Sequence, residues 1–183
     1  MASHPAPFNL FNLSRKKAQH LFHKAYAAQR EANFHQAITL YQASIDCYPT
    51  AEAHTFLGWA YSFTGDLDAA IESCHEAIMI DPNLGNPYND IGAYMIAQGR
   101  YEEAFDYLQH ALSVPRYLAS HYAHFNLGRV YESRGDMVGA YRHYKQALEV
   151  DPTYEIAVFA LERIKSQILS QDRSKKHSCQ TSA

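Results

Sequence analysis

Phe125-Asn126-Leu127-Gly128-Arg129-Val130-Tyr131 carries the reading of this chain, because its spacing returns elsewhere in phase. The Leu-Gly pair with a large residue three further on recurs as Leu57-Gly58 with Tyr61 and as Ile91-Gly92 with Met95. From Gly58 to Gly92 is 34 residues, and from Gly92 to Gly128 is 36. An alanine stands 12 residues after each glycine, at Ala70, Ala104 and Ala140, and an earlier copy is found in Ala25 and Ala37. Gly65-Asp66, Gly99-Arg100 and Gly135-Asp136 interrupt these units, as Ala32-Asn33 does in the first, while Pro49, Pro82 and Pro152 close three of the four. A fixed period of this length marks stacked units that bury their apolar faces against one another.

Within each unit the apolar residues fall at i, i+3 and i+4, the spacing of a helix and not of a strand. The interrupting glycine supplies a left-handed residue that ends the first helix. The residue before each closing proline is driven out of the helical region, which ends the second. A glycine inside a helix costs about 1 kcal/mol against alanine. Its recurrence therefore predicts a close helix crossing, where dispersion gained from packing offsets that loss.

This pattern resembles the tetratricopeptide repeat, with Phe125–Tyr131 and Gly99-Arg100-Tyr101-Glu102-Glu103-Ala104 similar to its consensus. The resemblance implies an all-α, right-handed solenoid of four helix hairpins over residues 18–50, 51–84, 85–120 and 121–154. A capping helix over 155–169 completes a repeat domain of 18–169, with Ile156, Val158, Phe159, Leu161, Ile164 and Ile168 as its apolar face. Residues 1–17 are expected to be a flexible segment and 170–183 a polar, disordered tail. Lys24, Ala28, His54 and His124 depart from the large apolar residues of the consensus, and Val114-Pro115-Arg116 contains two extra residues that lengthen one connection.

Charge and cysteine usage exclude several functions. Residues 18–169 hold 10 Lys/Arg against 18 Asp/Glu, so the body is acidic and does not suit nucleic acid, which needs clustered cations. The basic ends, Arg15-Lys16-Lys17 and Arg173 to Lys176, read as solvating tails. Cys47, Cys74 and Cys179 form no CxxC pair and an odd set, consistent with free thiols in the cytoplasm. No membrane segment, cofactor motif or phosphate loop is evident. His20 with His23 and His121 with His124 are helical pairs, but no third and fourth ligand accompanies them, so no metal is expected.

What remains is recognition of a protein or peptide. The first helices of the units line the concave face of such a solenoid. Their inward positions are Phe22, His23 and Tyr26; Thr55, Phe56, Trp59 and Phe63; Asn86, Asn89 and Asp90; and Phe125, Asn126, Arg129 and Glu132. Aromatic anchors beside Arg and Asn make up a recognition surface, although Phe22 and Phe125 also suit simple packing. The lysine-rich clamp by which some family members hold a chaperone carboxylate is not expected, since the first helices of units two and three lack lysine. The expected role is a non-enzymatic interaction module: an adaptor, assembly factor or chaperone-like holder. An accessory or regulatory subunit of an enzyme or secretion system, such as a small secretion chaperone, is the alternative.

Overall fold

The computed structural model describes residues 7–180, with side chains described over 12–170. It contains nine helices and no strand among those residues. They are α1 (Pro7–Arg30), α2 (Phe34–Cys47), α3 (Ala51–Thr64), α4 (Leu67–Ile80), α5 (Gly85–Ala97), α6 (Tyr101–Ser113), α7 (Ser120–Ser133), α8 (Met137–Val150) and α9 (Glu155–Gln180). The first eight form the four hairpins the repeat implies, and α9 packs on α8 as the cap.

One dipeptide both ends and begins a helix in units two and four. Gly65 takes φ 85° as the left-handed C-cap of α3, and the Asp66 side chain then accepts from Ala69 N as the N-cap of α4. Gly135 and Asp136 repeat this, with φ 74° and a bond from Gly139 N. Ala32 does the turn's work in the first unit at φ 58°, a region costly for a residue with a Cβ, and Asn33 caps α2.

The helix glycines sit where two helices meet, with a partner that the 12-residue spacing did not name. A Cβ on Gly92 would lie 2.6 Å from Leu108 Cδ2, one on Gly128 2.4 Å from Tyr144 Cε1, and one on Gly58 3.0 Å from Cys74 Sγ. Each partner is 16 residues on and fully buried or nearly so, as is Tyr41 opposite Ala25. The alanine 12 residues on contributes its carbonyl: Ala70 O would meet the Gly58 Cβ at 2.8 Å.

The first helices touch one another directly (α1 with α3, α3 with α5, α5 with α7), which sets them on the inner side of the curve. The extended connection before α7 pairs its backbone with the turn before α5: Arg116 N donates to Asn83 O and Gly85 N to Arg116 O. Tyr117 then occupies the space a side chain on Gly85 would need.

The ends depart from expectation. Helix α1 begins at Pro7 inside the segment expected to be flexible over 1–17, and α9 continues to Gln180 through most of the tail expected to be disordered over 170–183. Register marks where a repeat begins, not where a helix must stop. No Gly or Pro lies between Pro7 and Arg30 or between Glu155 and Gln180, and Pro suits the first helical position. The same expectations for residues 1–6 and 181–183 lie outside the described residues.

Candidate partner-binding groove

Helical spacing brings Phe56, Trp59 and Phe63 along one face of α3. The rings form a continuous row: Phe22 to Phe56 at 5.3 Å between centroids, Tyr26 to Phe56 at 5.7 Å, Phe56 to Trp59 at 6.0 Å and Trp59 to Phe63 at 5.5 Å. Phe34 from α2 stacks flat on Phe63 at 4.5 Å. The row is buried at one end and open at the other, for Phe22 and Phe56 are half-buried while Trp59 is 42% and Phe63 53% exposed.

Beside the open end lies a cavity of about 540 Å³ between α3, α5 and α7. Its lining includes Phe56, Trp59, Phe63, Asn89, Asp90 and Asn126 from the expected set, with Thr55 and Asn86. A polar chain crosses its floor. Arg129 Nη1 donates to Asn126 Oδ1 at 3.4 Å, Asn126 Nδ2 to Asn89 Oδ1 at 3.1 Å, and Asn89 Nδ2 to Asp90 Oδ1 at 3.1 Å. Burial pushes the Asp90 carboxyl up to about 7, against the downward pull of the Asn89 bond.

The other expected residues fall elsewhere. Phe22 and His23 line a second hollow of about 340 Å³ with Arg15, Tyr48 and Glu52. Phe125 and Arg129 line a third of about 600 Å³ with Glu132, Ile156, Phe159 and Arg163. Tyr26 stands exposed beside Phe56. Phe22 packs onto the first-unit core and Phe125 onto that of the fourth unit and cap. Tyr94 and Tyr122 also line the central cavity and were not expected to. Their signal was present: Tyr94 is four residues after Asp90, and Tyr122 four before Asn126.

His121 and His124 face other residues across the hairpin and not each other. His124 Nδ1 lies 3.4 Å from His143 Nδ1, and His121 Nε2 3.9 Å from Asp151. Burial lowers His143 to about 4, helped by His124 and Arg142, and burial also lowers His124. No group of three or more metal-ligating side chains occurs among the described residues. No helix among them is long and apolar enough to cross a membrane.

Comparison with known proteins agrees with the geometry. Family models described as tetratricopeptide repeat match residues 51–84, 121–154 and 88–114, together just over half of the chain. A small glutamine-rich tetratricopeptide repeat-containing protein 2 of Mycosarcoma maydis is 29% identical over 99 residues, 54% of this chain and 28% of that protein. Protein bimA of Emericella nidulans is 25% identical over 108 residues, 58% of this chain and 13% of that one. The chain thus spans under a third of either relative. Among solved structures, Pseudomonas aeruginosa pilF aligns with a TM-score of 0.79 at 18% identity, covering 89% of this chain and 74% of that one. The type IV pilus biogenesis factor PilW aligns at 0.75 and 23% identity, covering 82% and 69%. At such identity these structures speak for the fold alone. Four hairpins in repeat register, capped by a further helix, form a protein–protein interaction module, and the chain belongs to the tetratricopeptide repeat family.

Proposed function

We propose that the cavity between α3, α5 and α7 grips an extended segment of a partner protein, and that the chain serves as an adaptor, assembly factor or chaperone-like holder in the cytoplasm. One observation carries this reading: Trp59 and Phe63 stay 42% and 53% exposed on α3 and line one cavity with the amides of Asn89 and Asn126. Exposed rings are anchors for apolar side chains, and each of the two amides, bonded once through its nitrogen and once through its oxygen, keeps one N–H and one lone pair for a peptide backbone. Arg129, at the end of the polar chain, would meet an acidic group or a carbonyl. A purely binding role fits the serine and threonine hydroxyls in the lining. Thr55 Oγ1 donates to Ala51 O at 2.7 Å and Ser62 Oγ to Trp59 O at 2.8 Å, so both are tied to their own helix.

The accessory-subunit reading draws on a different surface. Ile156 and Phe159 of α9 are 58% and 74% exposed beside Arg163, giving the carboxy-terminal end an apolar face suited to docking on a larger assembly.

The groove is tested with Trp59→Ala, using a partner captured by the intact chain. Affinity should fall by about 2 kcal/mol or more, with melting little changed. Retained affinity with lost stability would refute the groove and move the search to α9.

A further inference from the structure

Asp90 is an acid without a counter-ion in the middle of the proposed groove. Its bond is to the neutral Asn89 amide, and among the described residues it enters no ion pair. The titratable groups that feel its charge are Cys74 of α4, Tyr94 of α5 and Tyr117 of the connection before α7, none of them a cation. Arg129, the cation of the same polar chain, is bonded to Asn126 instead.

The surroundings deepen this imbalance. Residues 31–99 contain nine Asp/Glu and no Lys or Arg at all. Arg116 reaches back into that region from the long connection, but its guanidinium goes to Asp81 and, at 3.4 Å, to Glu52. The cavity that Asp90 lines is also lined by Trp59, Phe63, Tyr94 and Tyr122. A carboxylate that shares its cavity with aromatic rings in a negative field offers a cation direct charge pairing and the aromatic quadrupoles together. An ionised carboxylate withdrawn from water without a partner is costly, so an arriving cation also relieves a penalty already present in the free protein. Burial holds this carboxyl near the neutral form, which is the mark of that penalty.

We infer that the Asp90 pocket is the specificity subsite of the groove and takes one Lys or Arg side chain of the partner segment, with the aliphatic stem along Trp59 and Phe63 and the cation on the Asp90 carboxylate. This rests on the groove being the working surface. The stem suits the rings, since both side chains carry an apolar run behind a charged head. Hydrophobic and acidic segments meet the same rings but gain nothing from Asp90.

A display library of random dodecapeptides, selected on the full chain, supplies the probe. Trp59 is the chain's single tryptophan and lines the cavity, so its emission reports directly which selected peptides occupy the groove. Groove peptides should share one Lys or Arg position. Replacing that residue by norleucine, or making Asp90→Asn, should each weaken binding at least tenfold, and the two changes together should cost little more than either alone. Asp90→Asn keeps the side-chain shape and should melt no earlier than the parent. The norleucine swap alters only the peptide, so the question is answered even if that variant folds poorly. Groove peptides without a basic preference, or losses that multiply in the double change, overturn the subsite and leave the groove standing. Peptides that neither shift Trp59 emission nor respond to Trp59→Ala overturn the groove and the subsite with it, as does a library that yields no binder.

Discussion

In the carboxy-terminal half of the solenoid, Glu102 accepts from Arg134 at 2.9 Å and Glu132 accepts from Arg163 at 2.6 and 2.7 Å, while the Arg134 guanidinium also lies 4.3 Å over the Phe105 ring. In the amino-terminal half, nine acids between residues 31 and 99 have no Lys or Arg of their own stretch, and Trp59 and Phe63 face water. Two aromatic residues show the same contrast. Tyr144 is buried against Gly128 with its hydroxyl on Glu132, whereas Trp59 is 42% exposed and packs edge-on against Phe56 and Phe63 of its own helix. Around Glu132 the charges are paired within the chain, whereas around Trp59 rings stay exposed and Asp90 enters no ion pair among the described residues.

The largest effect that could break this contrast is a pair of truncations. Tyr144→Ala should cost about 3–5 kcal/mol, the loss typical of a buried aromatic, while Trp59→Ala should cost about 1 kcal/mol, as usual for a partly exposed site. Equal losses by denaturant titration would show that Trp59 is a core residue after all. Next in size is Gly92→Leu, which drives a side chain into Leu108 at a crossing and should cost about 1–3 kcal/mol. An unchanged midpoint would mean the helices can separate there.

The third effect depends on pH. His143 is held to about 4 in the fold and titrates near 6.5 when unfolded. A depressed folded value favours the neutral ring, so this stabilisation is complete above pH 6.5 and is lost as pH falls from there towards 4. Wild type should therefore lose more stability between pH 7 and 5 than His143→Phe, which keeps a ring against Tyr131. Parallel pH profiles would sink that account. Smallest is Ala32→Gly, which relieves a left-handed alanine and should raise stability by about 0.5–1 kcal/mol. No gain would indicate that the turn tolerates its Cβ.

Repeats make a fold legible because the same physical demand is written several times. Gly58, Gly92 and Gly128 had to signify close crossings, and Gly65, Gly99 and Gly135 left-handed turns. Partner identity at the crossings was less visible, since Cys74, Leu108 and Tyr144 share a position but no chemistry. The helical extent of α1 and α9 was missed because repeat register does not speak beyond the repeats. The cavity lining was legible where one helix supplies it, as with Phe56, Trp59 and Phe63. Contacts between distant side chains were not legible, as with Asn126 on Asn89 across 37 residues or His143 on His124 across 19.

Helices in this chain touch mostly their neighbours in sequence, so the fold is closed almost entirely by local contacts. Free energy then accumulates unit by unit, and loss of structure runs inward from the two ends instead of occurring everywhere at once. The largest buried cluster extends from Ala70 and Cys74 of α4 to Leu127 and Val130 of α7, making this middle the last part to open. Asp90 and Asn89 rest on that segment. A bound segment there would act as a latch on the final step of unfolding, and the lifetime of the whole chain would follow the occupancy of one site.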